Sequence, residues 1–374
     1  MDKGTFLQMF TYEVSRCLHN DYRDNYDERR FGPRPVPALH QWLREPIKSV
    51  LRRAGYQRMA DSAWLIQLAY GFIGPCLPRL ERLYERLADE ESRSLLVAIM
   101  AFRALGDRKV KLPFHTPEHF RGIQQVEARS SMAEPIEIGG SLGWKLSRID
   151  LPDFGIPISL HSVPAAAYLQ FLAQQYRCAC ASQIIEAAPG DCVMDGGGCW
   201  GDTALYFANK VGESGKVFTF EFTPTNLKIM SRNLDLNPAL KRRIEVVERA
   251  LWNVSGESMP YAEEGPGTSL TRKGPEPGKK SALTISLDDF VNQQRLPKID
   301  FIKMDIEGAE LLALQGARHT LKRFKPKLAV CVYHRLEDFF DIPDYLDSLN
   351  LGYRFYLRHF TIHAEETVLF ARAD

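Results

Sequence analysis

A few short stretches of this 374-residue chain carry side chains whose types and spacing suit chemistry. Asp195 is followed by Gly196, Gly197, Gly198 and Gly201, a glycine-rich turn set between an apolar run and a helix-like segment starting near Asp202. A strand, a Gly-rich turn and a helix N-terminus together form a site for a nucleotide-like ligand. Glycine serves there because no Cβ holds the ligand off the backbone. Glu221 closes the next apolar run, where a carboxylate can accept hydrogen bonds from two ribose hydroxyls. Glu248 and Ala250 follow the third run, where an adenine ring would be flanked. Asp305 and Glu307 stand two apart at the end of a fourth run. They could bind an acceptor hydroxyl, take its proton, or hold a divalent metal. Glu307 could instead only favour the start of the helix that follows. A direct role at the active site is expected for at least one of the pair, and no metal is assigned. His334 ends the fifth run and is placed to take a proton from a hydroxyl. The competing use is as a satisfied core or helix-capping histidine.

The glycine-rich turn fits two registers. Gly196, Gly198 and Gly201 spell the G-x-G-x-x-G of dinucleotide enzymes. Asp195, Gly197 and Gly201 spell D-x-G-x-x-x-G, the loop of S-adenosylmethionine (SAM) methyltransferases. Glu221 fits either ligand.

The elements that position these residues decide between the registers. Cys192–Asp195, Lys216–Glu221, Arg243–Glu248, Asp300–Asp305 and Lys327–Tyr333 read as strands. Helices are expected at Asp202–Asn209, Pro224–Leu236, Gly308–Phe324 and Leu336–Leu349. Such alternation predicts a parallel, doubly wound sheet with ligands at the carboxyl ends of its strands. The chain then closes with two strand-like runs, Tyr353–Arg358 and Glu366–Ala371, across a connection too short for a crossover helix. A terminal antiparallel hairpin is expected, as in Rossmann-like SAM methyltransferases. The working register is therefore Asp195, Gly197 and Gly201, with Gly196 and Gly198 incidental members of the same turn. The glycines and prolines of 253–285 predict an irregular β-type insertion in place of the third helix.

Upstream, residues 1–125 read as a mostly helical domain and 126–160 as a β-ribbon linker. The methyltransferase domain is expected over 161–374, beginning with a helix at Ala165–Tyr176. Helical spacing is visible at Pro37–Arg53 and at Leu80–Leu87. Asp89-Glu-Glu caps the start of a helix that ends at Gly106. Trp64–Leu77 predicts a buried helix, too short to span a bilayer. His115 and His119 have the i, i+4 spacing of a metal pair, but Pro117 lies between them and no third ligand is near. The basic Arg44–Arg58 region reads as a solvated helix face.

Forty-eight basic residues balance forty-seven acidic ones, without the excess that marks a nucleic-acid binder. The seven cysteines lack the spacing of a disulfide framework or a zinc site. The first residues lack a signal-peptide apolar run, so a cytoplasmic location is expected.

These motifs carry a family resemblance. From about 160 to 372 the chain resembles FkbM-type methyltransferases. The resemblance rests on Gln175-Tyr176, on Gly190-Asp191 leading into Val193-Met-Asp195-Gly-Gly-Gly-Cys-Trp-Gly201-Asp-Thr-Ala-Leu, and on Leu287-Asp288-Asp289. It extends to Ile302-Lys-Met-Asp305-Ile-Glu-Gly-Ala-Glu310, Tyr356-Leu-Arg-His359 and Glu366-Thr-Val-Leu. It implies a Rossmann-like fold, SAM as methyl donor and methyl transfer to a hydroxyl of a sugar or other small molecule. It also brings Tyr176 into the expected cofactor set. Gly198 departs from the family pattern, which usually has alanine there.

The expectation is a SAM-dependent O-methyltransferase. Asp305, His334 and Glu307 would serve catalysis, with no nucleic-acid or membrane partner and a possible homodimer. The alternatives are a SAM-fold binding module without catalysis and an NAD-dependent oxidoreductase. The acceptor's identity is not written in these motifs.

Overall fold

The computed structural model describes residues 4–34, 56–138, 144–180, 183–270 and 280–373. The chain folds as two units, Met1–Thr116 with Thr361–Glu365, and Pro117–Phe360 with Glu366–Asp374.

The first unit is helical. Helix Phe6–Cys17 begins at Thr5, whose hydroxyl accepts from the Gln8 amide while the Gln8 side chain accepts from the Thr5 amide. This reciprocal cap satisfies two amides that a helix start leaves open. Phe6, Phe10, Val14 and Cys17 form its buried stripe. Helix Glu90–Leu105 is capped by the Asp89 carboxylate, which accepts from Ser92 N, and stops at Gly106 with φ +81°. The apolar stretch after Trp64 is not a buried helix throughout. Leu65, Ala69 and Ile73 are buried, whereas Trp64 is 61% exposed and Leu68 41%. Its apolar residues cover more than one face, so one stripe of helix Tyr56–Ile73 stays outside. The helix expected at Pro37–Arg53 and the side chains of the basic run lie outside the described residues.

The second unit is built on strands. β1 (Ser130–Glu137), β2 (Lys145–Asp150) and β3 (Ser159–Ser162) form an antiparallel sheet. The expected linker is thus part of the second unit, which begins at Pro117. Asn233 and Asn237, on helix Pro224–Asp235 and just beyond it, clamp β3 by bonds to the backbone of His161 and Ser159. His119 is buried against Phe120 and Tyr168. Helix Pro164–Ala167 passes into a π-helical turn, Tyr168–Leu172, shorter than the expected helix.

β4 (Cys178–Cys180) and β5 (Gln183–Ile185) pair before the main sheet. That sheet contains β6 (Cys192–Gly196), β7 (Lys216–Phe220), β8 (Ile244–Val247), β12 (Phe301–Met304), β13 (Lys327–Cys331), β14 (Tyr353–His359) and β15 (Thr367–Ala373). Its order is β14-β15-β13-β12-β6-β7-β8. β6, β7, β8, β12 and β13 run parallel, and β15 is antiparallel to both β13 and β14. The terminal hairpin is present as expected. Every residue of β6 and β12 is buried, as befits parallel strands covered on both faces.

Between β8 and β12 lie β9 (Ala250–Leu251), β10 (Ser258–Tyr261) and β11 (Lys280–Ile285), a small separate sheet in the expected β-type insertion. The expected helix Gly308–Phe324 is two helices, Glu310–Gln315 and Arg318–Phe324. At the break, a Cβ on Gly316 would stand 2.3 Å from the Trp252 carbonyl. Among the described residues, no helix is long and apolar enough to cross a membrane.

Candidate active site

Parallel pairing places Lys303 of β12, Asp195 of β6 and Thr219 of β7 side by side in one row. All three are buried. Asp195 Oδ2 accepts from Thr203 Oγ1 at 2.8 Å and from Thr219 Oγ1 at 2.9 Å. Lys303 Nζ lies 3.2 Å from Asp195 Oδ1. It donates to the carbonyls of Gly196 at 2.9 Å and Gly197 at 2.7 Å. Burial pulls the Lys303 ammonium down, but Asp195 and Asp305 outweigh it and hold the group above its ordinary range. A paired charge with its donors used is the form in which a buried ion is tolerated. Asp195 therefore acts within the protein: it and Lys303 fix the shape of the glycine turn.

The turn has no room for side chains. Gly197 sits at φ +80°, and a Cβ there would meet the Asp305 carbonyl oxygen at 1.9 Å. On Gly198 it would meet Thr219 Oγ1 at 2.1 Å, and on Gly196 the Leu251 side chain at 2.8 Å. Gly196 and Gly198 are thus not incidental. At 198 the clash is with a hydrogen-bonded hydroxyl, whereas at 196 it is with the tip of the Leu251 side chain and, at 3.2 Å, the Lys303 carbonyl. Gly201, at φ +83°, starts helix Asp202–Val211. Burial pushes the Asp202 carboxyl up to about 6.

Glu221 lies one residue beyond β7 and is buried. Its Oε1 accepts from the amides of Phe222 and Thr223, both at 2.7 Å, and its Oε2 from Asn226 Nδ2 at 3.2 Å. Burial raises its carboxyl above the ordinary range despite these donors. Ala250 packs with Tyr261 and Ala282, flanked by Phe222 and Leu270, as an apolar wall beside Glu221. Glu248, expected to flank a ring, is exposed on the surface just past β8. The expected strand ran one residue too far at its end.

At the end of β12, Asp305 meets groups from three other segments. Its Oδ2 accepts from Tyr176 Oη and its Oδ1 from Tyr333 Oη, each at 3.0 Å. Tyr333 Oη also reaches Glu366, which in turn accepts from Gln175 Nε2. Tyr176, expected at the cofactor, donates to Asp305, with its ring beneath Lys303. Burial would raise the Asp305 carboxyl, but Lys303, His334 and the two phenols hold it below the usual range. Burial, and next the Asp305 charge, push both phenols well up, so they stay donors.

His334 follows β13 and its side chain is 9% exposed. Its Nε2 lies 3.4 Å from Asp305 Oδ1 and 3.6 Å from Glu307 Oε1, and its Nδ1 3.0 Å from Glu310 Oε1. The Glu310 contact is off the hydrogen-bond axis, and neither ring nitrogen completes a hydrogen bond. Burial works against an imidazolium, but Glu310, Glu307 and Asp305 prevail and raise its pKa well above the ordinary value. Glu310 is fully buried and accepts from the Ile306 amide at 2.8 Å. Consecutive left-handed residues, Glu307 at φ +56° and Gly308 at φ +88°, turn the chain between β12 and the next helix. The sequence reading named Asp305, Glu307 and His334, and the structure brings them together. It gave no role to Lys303, Tyr333, Glu310 or Glu366. A lysine inside the apolar run Phe-Ile-Lys-Met was the available signal for the first.

This arrangement, a parallel sheet closed by an antiparallel hairpin with a glycine turn after β6, defines a class I methyltransferase fold. Residues 185–355 match the family model of the methyltransferase FkbM domain. A curated relative, the hexuronic acid methyltransferase AglP of Haloferax volcanii, is 29% identical over 138 residues, which are 37% of this chain and 54% of the relative. The chain thus spans about half the length of that relative. A solved structure, the methyltransferase FkbM from Methylobacillus flagellatus, superposes with a TM-score of 0.50 at 19% identity. The match covers 88% of this chain and 70% of that one, and it shows a shared fold.

Proposed function

We propose that this protein transfers a methyl group from SAM to a hydroxyl of a small saccharide-type molecule. The observation that carries the reading is the abutment of Gly197 on the Asp305 backbone. It sets the glycine turn, a cradle a Cβ would fill, directly against the carboxylate end of β12. Gly196, Gly197, Gly198 and Gly201 leave space for the cofactor's methionine part. Glu221 would hold its ribose, and Ala250 with Phe222 would line its adenine. The relative that methylates a hexuronic acid supports a sugar acceptor.

When bound, SAM supplies an electrophilic methyl carbon, whose bond to sulfur breaks as the acceptor oxygen bonds to it. Asp305 receives the acceptor hydroxyl and is where its proton departs, with His334 Nε2 beside it at 3.4 Å. Tyr176 and Tyr333 keep the Asp305 carboxylate from rotating, so the hydroxyl meets a fixed acceptor. Alignment of this kind contributes on the order of 7–11 kcal/mol to a two-substrate reaction. Assistance in proton removal adds about 10²–10⁴-fold.

The test is a panel of hydroxylated saccharides incubated with methyl-labelled SAM. Label in an O-methyl product, lost in Asp305→Ala, supports the assignment. Binding of SAM without transfer to any of the panel favours a non-catalytic module, and binding of NAD in its place overturns the reading.

A further inference from the structure

We propose that Asp305, Glu307 and His334 form a site for one divalent cation with mixed imidazole and carboxylate ligands, of the manganese type. The proposal rests on the methyltransferase reading above and goes beyond it. One ligand atom from each of the three residues lies within 4.8 Å of the other two. Ligands at about 2.0–2.2 Å from an octahedral ion stand about 3 Å apart when adjacent and about 4 Å apart when opposite. The separations of His334 Nε2 from Asp305 Oδ1 and Glu307 Oε1, 3.4 and 3.6 Å, are about half an ångström wider than adjacent positions, a gap that small side-chain rotations close. They are also too long for good hydrogen bonds.

The histidine supplies the independent observation. Its side chain is more than nine-tenths buried, its Nε2 faces the two carboxylates, and that nitrogen has no hydrogen-bond partner. The ring nitrogen and the two carboxylates thus converge on one point without closing a hydrogen bond to one another. On the far side of the ring, Glu310 stands 3.0 Å from Nδ1. A carboxylate behind a histidine orients the ring and strengthens it as a ligand. Glu310 is itself tied to the Ile306 amide, so this support is fixed. One imidazole with two carboxylates suits divalent ions that accept both nitrogen and oxygen. Three protein ligands leave positions open on an octahedral ion. An acceptor hydroxyl bound there would lose its proton more readily, as water does on a metal ion. Vicinal hydroxyls, as on a sugar ring, could occupy two such positions.

Mn²⁺ is the probe. The full chain, without a histidine tag and stripped by a chelator, is titrated with Mn²⁺ while the electron paramagnetic resonance signal of the free ion is followed. One bound ion per chain is expected, held at least about tenfold more weakly in His334→Ala and in Glu307→Gln. Glu307→Gln keeps the proposal testable should the buried histidine variant fail to fold. Absence of Mn²⁺ binding overturns the proposal, and so does binding that neither variant weakens. Calorimetric SAM titration of the same samples separates the two readings. SAM binding without Mn²⁺ binding leaves the methyltransferase assignment standing and removes only the metal.

Discussion

Lys303 Nζ and Asp195 Oδ1 lie 3.2 Å apart on adjacent parallel strands, both side chains essentially without solvent exposure. The lysine also holds the Gly196 and Gly197 carbonyls, so one ammonium ties the acidic residue before the turn to the turn itself. Removing either partner strands the other charge, at a cost of about 3–5 kcal/mol. We expect Lys303→Met and Asp195→Leu each to destabilise by about that amount in urea denaturation. The double variant is expected to lose markedly less than their sum. Additive losses would mean that the pair is not coupled. SAM affinity should fall in all three variants, because the turn loses its fixed shape.

Gly198 and Thr219 make a second testable pair. The threonine hydroxyl that bonds Asp195 stands where a Cβ on residue 198 would go. Gly198→Ala should cost about 1–3 kcal/mol through overpacking. Thr219→Ala in the same chain removes the clashing oxygen and should recover part of that loss. Differential scanning calorimetry of the two single variants and the double variant measures the recovery. A Gly198→Ala chain as stable as wild type would show that the turn is looser than described.

Asp202 predicts a pH dependence. Its folded carboxyl titrates near pH 6, above the usual unfolded value of about 3.9. Folding therefore favours the protonated form. The associated stability is fully present below about pH 4 and is lost as pH rises through about 6. Asp202→Asn keeps a neutral side chain of the same shape. Relative to wild type, it should gain stability between about pH 4 and pH 7, by up to about 3 kcal/mol. Urea titrations at the two ends of that window measure the difference, and a pH-independent difference contradicts the shift.

Tyr333→Phe removes one donor from the Asp305 carboxylate and leaves the ring in place. Hydrogen bonds to charged groups contribute about 1.5–3 kcal/mol. With a confirmed acceptor, kcat/KM should drop about 10- to 100-fold while the SAM dissociation constant changes little. A drop confined to SAM binding would place Tyr333 at the cofactor instead.

The carboxyl ends of the strands were the legible part of the chain. Asp195, Glu221, Asp305 and His334 each stand at the end of a parallel strand or just beyond it. Strands buried on both faces show up as unbroken apolar runs, and the polar residue that ends each run marks the ligand side. What escaped was whatever depends on pairing across long sequence distances. Lys303 finds Asp195 only through the β6–β12 register, and Tyr333, just past β13, reaches both Asp305 and Glu366, just before β15. Asp288, quoted only as part of a motif, accepts from the amides of His319 and Thr320 and so caps helix Arg318–Phe324. Glu248 was misplaced for a local reason. It continues the apolar alternation of β8 in sequence, but the strand stops at Val247.

The central claim is methyl transfer from SAM to a hydroxyl through the Asp305 end of the sheet. Its most direct test is a single-turnover reaction with carbon-13 methyl SAM and a saccharide acceptor, read by NMR. An O-methyl resonance is expected with wild-type protein and none with Asp305→Ala, while that variant still binds SAM. Equal transfer by both proteins, or label on nitrogen or carbon alone, would contradict it.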